Sequence, residues 1–192
     1  MFEKIFWLED NPDFLQCFSE LALSYGLKLN TQDLLSRTEF AFSFNHGKDI
    51  IEKGTQFDLH ILDADFPNDV LPRRAREIQR FLEETKKGSG GRLEFVSDRQ
   101  IYDNFIRFHR EFLKEKRTIV YSMSYGAIGP AFKLGLPFYN KSSFELGEGE
   151  KIIKEYLLSS KGQFAEGLDK EAVAKWEVGG TPELIQRYLV ND

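Results

Sequence analysis

Apolar and polar positions alternate along the first third of the chain in short blocks that predict strands separated by helices. Phe40, Phe42 and Phe44 recur at every second position, which is typical of a strand, whereas Phe14, Phe18 and their apolar neighbours recur at helical spacing. An Asn-Pro pair at 11–12 is a favourable helix start. The predicted strands cover 4–8, 38–44 and 57–62, and the predicted helices cover 11–26 and 47–53.

The rest of the chain continues the same alternation. Strands are predicted over 93–96, 118–121 and 137–140, and helices over 73–87, 101–116, 128–134 and 151–158. Strands that alternate with helices imply right-handed crossovers and a mostly parallel sheet. We therefore expect a doubly wound α/β protein of the flavodoxin type, with five or six strands. For 160–192 we expect one or two short helices, broken at Gly179-Gly180.

Composition narrows the class of protein. The 192 residues suit one domain of ordinary size, or one domain with an appendage, and 41% hydrophobic residues are enough for a core. A net charge of −5 argues against a general nucleic-acid binder, because the phosphate backbone favours basic surfaces. No apolar run approaches the roughly 20 residues of a membrane span, and no signal peptide is visible. We expect a soluble, cytoplasmic protein without a membrane partner.

Acidic side chains follow two of the predicted strands. Glu9 and Asp10 follow the first, while Asp63 follows the strand at 57–62 and is itself followed by Asp65. Open α/β sheets carry their sites at the carboxyl ends of strands, so these acids are expected on one rim. Like charges at that density need a hard cation such as Mg²⁺, or a raised pKa on one of them.

Two later strand ends carry complementary groups, Ser122 and Lys141. A hydroxyl can bond a phosphoryl oxygen, and a lysine can neutralise charge that develops there. Together with carboxylates that hold a divalent cation, this set suits phosphoryl transfer to an aspartate, in which positioning and charge neutralisation do most of the work.

At these four strand ends the chain resembles the receiver domain of two-component response regulators. The resemblance is carried by an acid pair after the first strand, an aspartate after the third, a hydroxyl after the fourth and a lysine after the fifth. The matching segments are Ile5-Phe6-Trp7-Leu8-Glu9-Asp10-Asn11-Pro12, Asp58-Leu59-His60-Ile61-Leu62-Asp63, Ile119-Val120-Tyr121-Ser122 and Phe138-Tyr139-Asn140-Lys141.

The resemblance implies a role for each of these side chains. Asp63 would accept the phosphoryl group, and Ser122 and Lys141 would contact it. Phe138 falls where the family has its aromatic switch residue. The implied Mg²⁺ ligands are Glu9, Asp10, Asp63 and the backbone carbonyl of Asp65.

The resemblance also implies an organisation and a set of partners. Residues 1–159 would form the receiver-like domain, with an inserted strand-helix unit at about 88–117, and 160–192 would be a C-terminal extension without a counterpart. Such a stand-alone receiver is a phosphoacceptor signalling domain more than an enzyme. It would take its phosphoryl group from a histidine kinase or phosphotransfer protein and act on an unknown output protein, not on nucleic acid.

Two other functions remain open at this point. The pair Asp63 and Asp65 also resembles the nucleophile motif of haloacid dehalogenase-type phosphatases, in which the second acid exchanges protons. Alternatively, the chain is a receiver-like adaptor that takes no phosphate. Labelling by a small phosphodonor and turnover of p-nitrophenyl phosphate separate the three hypotheses.

Overall fold

The computed structural model describes residues 2–70, 74–86, 104–142, 146–159 and 168–190, with the side chains of residues 16, 17 and 19 excepted. Within these ranges, six strands form one sheet in the order β2-β1-β3-β4-β5-β6, and every neighbouring pair is parallel. The strands are β1 (Ile5–Leu8), β2 (Thr38–Ala41), β3 (Leu59–Leu62), β4 (Thr118–Ser122), β5 (Phe138–Asn140) and β6 (Val178–Gly180).

Helices occupy the connections between the strands and follow β6. They are α1 (Pro12–Ser24), α2 (Thr31–Arg37), α3 (Phe44–Glu52), α4 (Ala75–Glu84), α5 (Asn104–Phe108), α6 (Ile128–Lys133), α7 (Glu148–Ser159), α8 (Lys170–Lys175) and α9 (Thr181–Leu184). A π-helical turn continues α5 over His109–Leu113 and another continues α9 over Ile185–Leu189, while a 3₁₀ turn at Tyr125–Ala127 precedes α6. Across the described residues, no helix has the length and apolar character to cross a membrane.

Local sequence explains where the elements begin. The apolar runs of β1 and β3 are buried along their whole length, as expected of parallel strands covered on both faces. The Ser43 hydroxyl accepts the backbone N–H of His46 at 3.2 Å and caps α3, so β2 ends at Ala41 and not at Phe44.

Apolar side chains fill both sides of the sheet. One cluster packs α3, α5, α6, α7 and α8 against one face, and a second packs α1, α2, α4 and α9 against the other. Helices on both faces of a parallel sheet define the doubly wound α/β class, so the fold predicted from the sequence is confirmed.

The last described part of the chain contains two short helices, α8 and α9, as expected, but Gly179-Gly180 between them belong to a strand. These glycines lie in β6, which pairs with β5 in register Tyr139↔Gly179, and α8 and α9 flank it. A Cβ at Gly149 of α7 would lie only 2.4 Å from the Gly180 backbone nitrogen. The glycines therefore permit close packing of α7 on the edge strand, and a three-residue strand containing two glycines carries no apolar periodicity.

The connection from β3 to β4 contains two described helices on opposite faces of the sheet. The helix α5 packs beside α3 on one face, whereas α4 packs beside α1 on the other. The connection from β3 to β4 crosses the sheet in the same direction as that from β2 to β3, which contains α3, so a right-handed crossover places its helix on the α3 face. Of these two helices, α5 lies within the 88–117 unit expected to be inserted, and α4 precedes that unit. The strand predicted over 93–96 lies outside the described residues.

A buried histidine makes folding stability depend on pH. His46 is fully buried, and burial lowers its pKa to about 4, while the unfolded side chain titrates near 6.5. The unfolded chain binds the extra proton between these values, so stability should fall as the pH drops from 7 to 5. We expect wild type to lose about 1–2 kcal/mol more than His46→Gln over this interval.

Urea unfolding of both proteins at pH 7, 6 and 5 measures this difference. Burial raises the pKa of Glu9, which changes stability in the opposite sense, but that contribution is common to both proteins and cancels. Parallel stability curves for wild type and variant would contradict the prediction.

Candidate functional site

The acidic ends of β1 and β3 are fixed side by side. Leu8 pairs with Leu62, so the residues that follow them, Glu9 and Asp63, leave the sheet at the same level. The Asp63 N–H donates to the Leu8 carbonyl at 2.9 Å, and the Glu9 N–H donates to the Ala41 carbonyl at 2.9 Å. Parallel pairing therefore continues one residue beyond each strand and holds both acids at the rim.

The ends of β4 and β5 complete the rim. Ser122 pairs with Asn140, and the N–H of Lys141 donates to the Ser122 carbonyl at 3.2 Å. All four strand ends singled out in the sequence therefore lie at the carboxyl edge of one parallel sheet, where such sheets place their sites.

The centre of the site is a buried three-membered ion cluster. The Lys141 ammonium lies 2.5 Å from Glu9 Oε2 and 2.5 Å from Asp63 Oδ2. The three residues are only 8%, 1% and 7% exposed, respectively. Charged side chains at this depth need partners, and each of these three has at least one.

Burial and charge act on the same groups in opposite directions. Burial raises the pKa of Glu9 to about 8, and the Lys141 ammonium only partly offsets that shift. Burial alone would lower the pKa of Lys141, but the carboxylates of Asp63 and Glu9 raise it above its usual value. A permanently charged lysine between two carboxyl groups is the state that the geometry supports.

Three carboxylates converge beside this lysine. One oxygen each from Glu9, Asp10 and Asp63 lies within 4.8 Å of the other two, which confirms that Asp10 and Asp63 lie within reach of one cation. With all three carboxyl groups ionised, as a bound cation would require, they and the ammonium carry a formal charge of −2, and oxygen atoms are the ligands of hard divalent cations. The cluster can therefore hold a metal ion.

The cluster opens into a cavity of about 220 Å³. It provides room for about seven waters at ~30 Å³ each, enough for a small phosphoryl group and part of its donor. Asp65 and Ser122 line it together with the ion cluster. Within the described part of the chain, the lining residues are Glu9, Asp10, Asn11, Phe14, Asp63, Asp65, Arg74, Ser122, Met123 and Lys141.

Neighbouring groups orient the polar side chains of the cavity. The Asp63 Oδ1 atom accepts the N–H of Ala64 at 2.6 Å. The Ser122 hydroxyl oxygen accepts the N–H of Ser124 at 3.2 Å. Asp65 is half-buried; burial raises its pKa, and a hydrogen bond from the Ser124 side chain opposes that shift. Every side chain predicted for the site lies at this cavity, although Asp65 is outside the group of three converging carboxylates.

The aromatic floor of the site was not predicted. The Lys141 Nζ atom lies 4.9 Å from the centre of the Phe14 ring and 5.7 Å from that of Tyr121, within cation–π range. The Tyr121 hydroxyl in turn shares a 2.8 Å hydrogen bond with Thr181 Oγ1 at the start of α9. This contact links the C-terminal segment to the floor of the site, which the sequence alone gave no means of locating.

The structure also places two further residues, Arg74 and Phe138. Arg74 was not among the residues assigned to the site from sequence, yet it lines the cavity. Phe138, at the position of the aromatic switch, has a fully buried ring in the apolar cluster beside Trp176. Nothing in the local pattern around Arg74 distinguishes it, because its position depends on where the long β3–β4 connection passes.

No family model, curated protein or solved structure matches the chain. The receiver resemblance therefore depends on the four strand ends and on the geometry they adopt. The proposed function therefore rests on those side chains and their arrangement.

Proposed function

We propose that this chain is a receiver that accepts a phosphoryl group on Asp63 with the help of Mg²⁺. The observation that supports it best is the buried Lys141, held between Glu9 and Asp63 beside an acidic cavity. A lysine in this place pairs with the acceptor carboxylate and sits where charge would develop during transfer.

The chain's own groups account for the transfer step. An Asp63 oxygen forms the new bond to phosphorus, while the P–O or P–N bond of the donor breaks and its electron pair leaves with the donor group. Lys141 would then neutralise the added charge. Since Ser122 uses only an oxygen lone pair to accept the Ser124 N–H, its own O–H remains a donor for a phosphoryl oxygen.

The donor set suits the proposed cation. Asp10 and Asp63 would hold Mg²⁺ with the backbone carbonyl of Asp65, and Glu9 would contribute charge from the ion cluster. Bound there, the ion would supply positive charge to the phosphoryl oxygens. The proposed donor is a histidine kinase or phosphotransfer protein, and the proposed output is a contact with another protein.

Labelling of the purified chain tests this function. We expect acetyl phosphate or phosphoramidate with Mg²⁺ to add one phosphoryl group, seen by intact mass, and we expect EDTA to prevent it. Complete absence of labelling in a folded protein with Mg²⁺ would contradict the proposal and favour a receiver-like adaptor that takes no phosphate.

A phosphatase of the haloacid dehalogenase type is the second candidate, because Asp65 lines the same cavity as Asp63. A second carboxyl group there could carry a proton to a leaving group. Sustained turnover of p-nitrophenyl phosphate that is lost in Asp65→Asn would favour this function, whereas a single stable phosphorylation favours the receiver.

A further inference from the structure

We propose that Arg74 is a second cationic ligand for the phosphoryl group, positioned at the start of helix α4. The inference rests on the proposed function, since it assigns a further binding residue to the same site. Arg74 immediately precedes α4 and lines the cavity that contains Asp63 and Lys141.

The packing of α4 determines where Arg74 lies. Contacts between α1 and α4, which include an ion pair between Arg80 Nη2 and Asp13 Oδ1 at 2.8 Å, hold the helix beside the start of α1. The beginning of α4 thereby reaches the rim that carries Asp10. The charges of Asp10 and Asp13 act on the Arg74 guanidinium from that side.

The Arg74 guanidinium has an N–H donor, at Nε, that makes no hydrogen bond within the described residues. Its Nη1 donates to Glu77 Oε2 at 2.9 Å, one turn along the helix. Its Nε is buried and has no hydrogen-bond partner among the residues that the structure describes. A buried N–H without a partner carries a free-energy penalty, which an incoming oxygen ligand would remove.

Charge in the cavity favours the same assignment. Among the residues that the structure describes, four carboxyl groups line it, against two basic side chains, Lys141 and Arg74. Phosphorylation of Asp63 would replace one negative charge by about two. Lys141 is already shared between two carboxylates, so Arg74 is the other cation at the cavity able to meet the added charge.

The two cations differ in geometry. A guanidinium is a planar fork that can donate two parallel hydrogen bonds to phosphoryl oxygens, whereas an ammonium acts as a point charge. The Arg74 side chain is 26% exposed, which leaves it access to the cavity mouth and room to turn from Glu77 toward a ligand. Glu77 would therefore compete with the phosphoryl group for Arg74.

Binding of beryllofluoride, a phosphoryl mimic, in the presence of Mg²⁺ tests the inference. Its Kd is measured by calorimetry or by ¹⁹F NMR for wild type and four variants. We expect Arg74→Gln to weaken binding about tenfold, because it removes charge-assisted hydrogen bonds, and Arg74→Lys to weaken it less.

The other two variants separate a ligand from a merely structural arginine. Arg76→Gln removes the same charge from the same helix, at an exposed side chain that does not line the cavity, and should leave the Kd near that of wild type. Glu77→Gln removes the competitor and should tighten binding a few-fold. A structural arginine would not produce such tightening.

The outcomes distinguish this inference from the proposed function. If wild type binds no beryllofluoride, the phosphoacceptor function itself is wrong. If wild type binds it, but Arg74→Gln matches Arg76→Gln and Glu77→Gln has no effect, only the role of Arg74 is wrong. Should Arg74→Gln fail to fold, Arg74→Lys and Glu77→Gln decide, because both retain a basic side chain at position 74.

Discussion

Asp63→Asn is expected to abolish phosphoryl labelling and to leave the fold intact. An amide is nearly isosteric with a carboxylate but is not a nucleophile at phosphorus. Lys141 keeps Glu9 as its counter-ion at 2.5 Å, so the substitution leaves no unpaired buried cation. The variant should also lose an oxygen ligand for the proposed cation.

The matched control is Asp65→Asn, which changes a carboxyl group of the same cavity in the same way. Intact-mass measurement after incubation with acetyl phosphate and Mg²⁺ should show wild-type labelling for the control and no labelling for Asp63→Asn. An equal adduct on both proteins, placed by peptide mapping on another residue, would show that Asp63 is not the acceptor.

Sequence predicted the rim of the sheet because its positions follow from local rules. An apolar run long enough for one strand fixes where that strand ends, and parallel pairing brings such ends to one edge. Asp63 and Lys141 could therefore be assigned to the same site, although 78 residues separate them. The strand β4 lies between β3 and β5, and the long Lys141 side chain spans that distance to reach Asp63.

The sequence could not predict which of Glu9 and Asp10 turns into the buried ion cluster. They are adjacent in sequence, and either could have turned inward. The structure buries Glu9 in the ion cluster and leaves Asp10 half-buried, which makes Asp10 the more accessible of the two to an incoming cation. That choice depends on the level at which β1 leaves the sheet, which is set by its pairing with β2 and β3.

Long-range packing accounts for the other features that sequence did not predict. The apolar stripe of α4 indicates that the helix packs, but not on which face of the sheet. Its side chains Ile78 and Phe81 pack with Phe40 and Phe42 near β2, and this placement brings Arg74 to the cavity. Likewise β6 packs closely against α7. Its glycines permit this contact, but their presence in the sequence does not predict it.

Lys141→Met is expected to destabilise the protein more than any other single change at the site. Methionine fills a similar volume, so the main effect is electrostatic: Glu9 and Asp63 are left as buried carboxyl groups without their cation. Breaking a buried ion pair in this way costs about 3–5 kcal/mol. Urea unfolding in EDTA at pH 8 measures the loss, and Lys151→Met, at an exposed position of α7, should change stability by less than about 0.5 kcal/mol.

The loss of stability in Lys141→Met relative to wild type, here its deficit, should depend on pH in a way that tests its cause. Lys141 lowers the pKa of Glu9 against the effect of burial, so removing the lysine raises that folded-state pKa further above the unfolded value of about 4.3. A group with a raised folded-state pKa loses its contribution to stability as pH rises. The deficit should therefore be larger at pH 8 than at pH 5.

A second substitution and added Mg²⁺ should each reduce the stability loss of Lys141→Met if unpaired carboxylates are its origin. Glu9→Gln in the Lys141→Met background removes one of the two buried charges. Mg²⁺ would offer the carboxylates another cation and, by binding only the folded state, stabilise the variant more than it stabilises wild type. A deficit near zero, or one that neither addition changes at pH 8, would show that the lysine is not the counter-ion that holds this acidic site together.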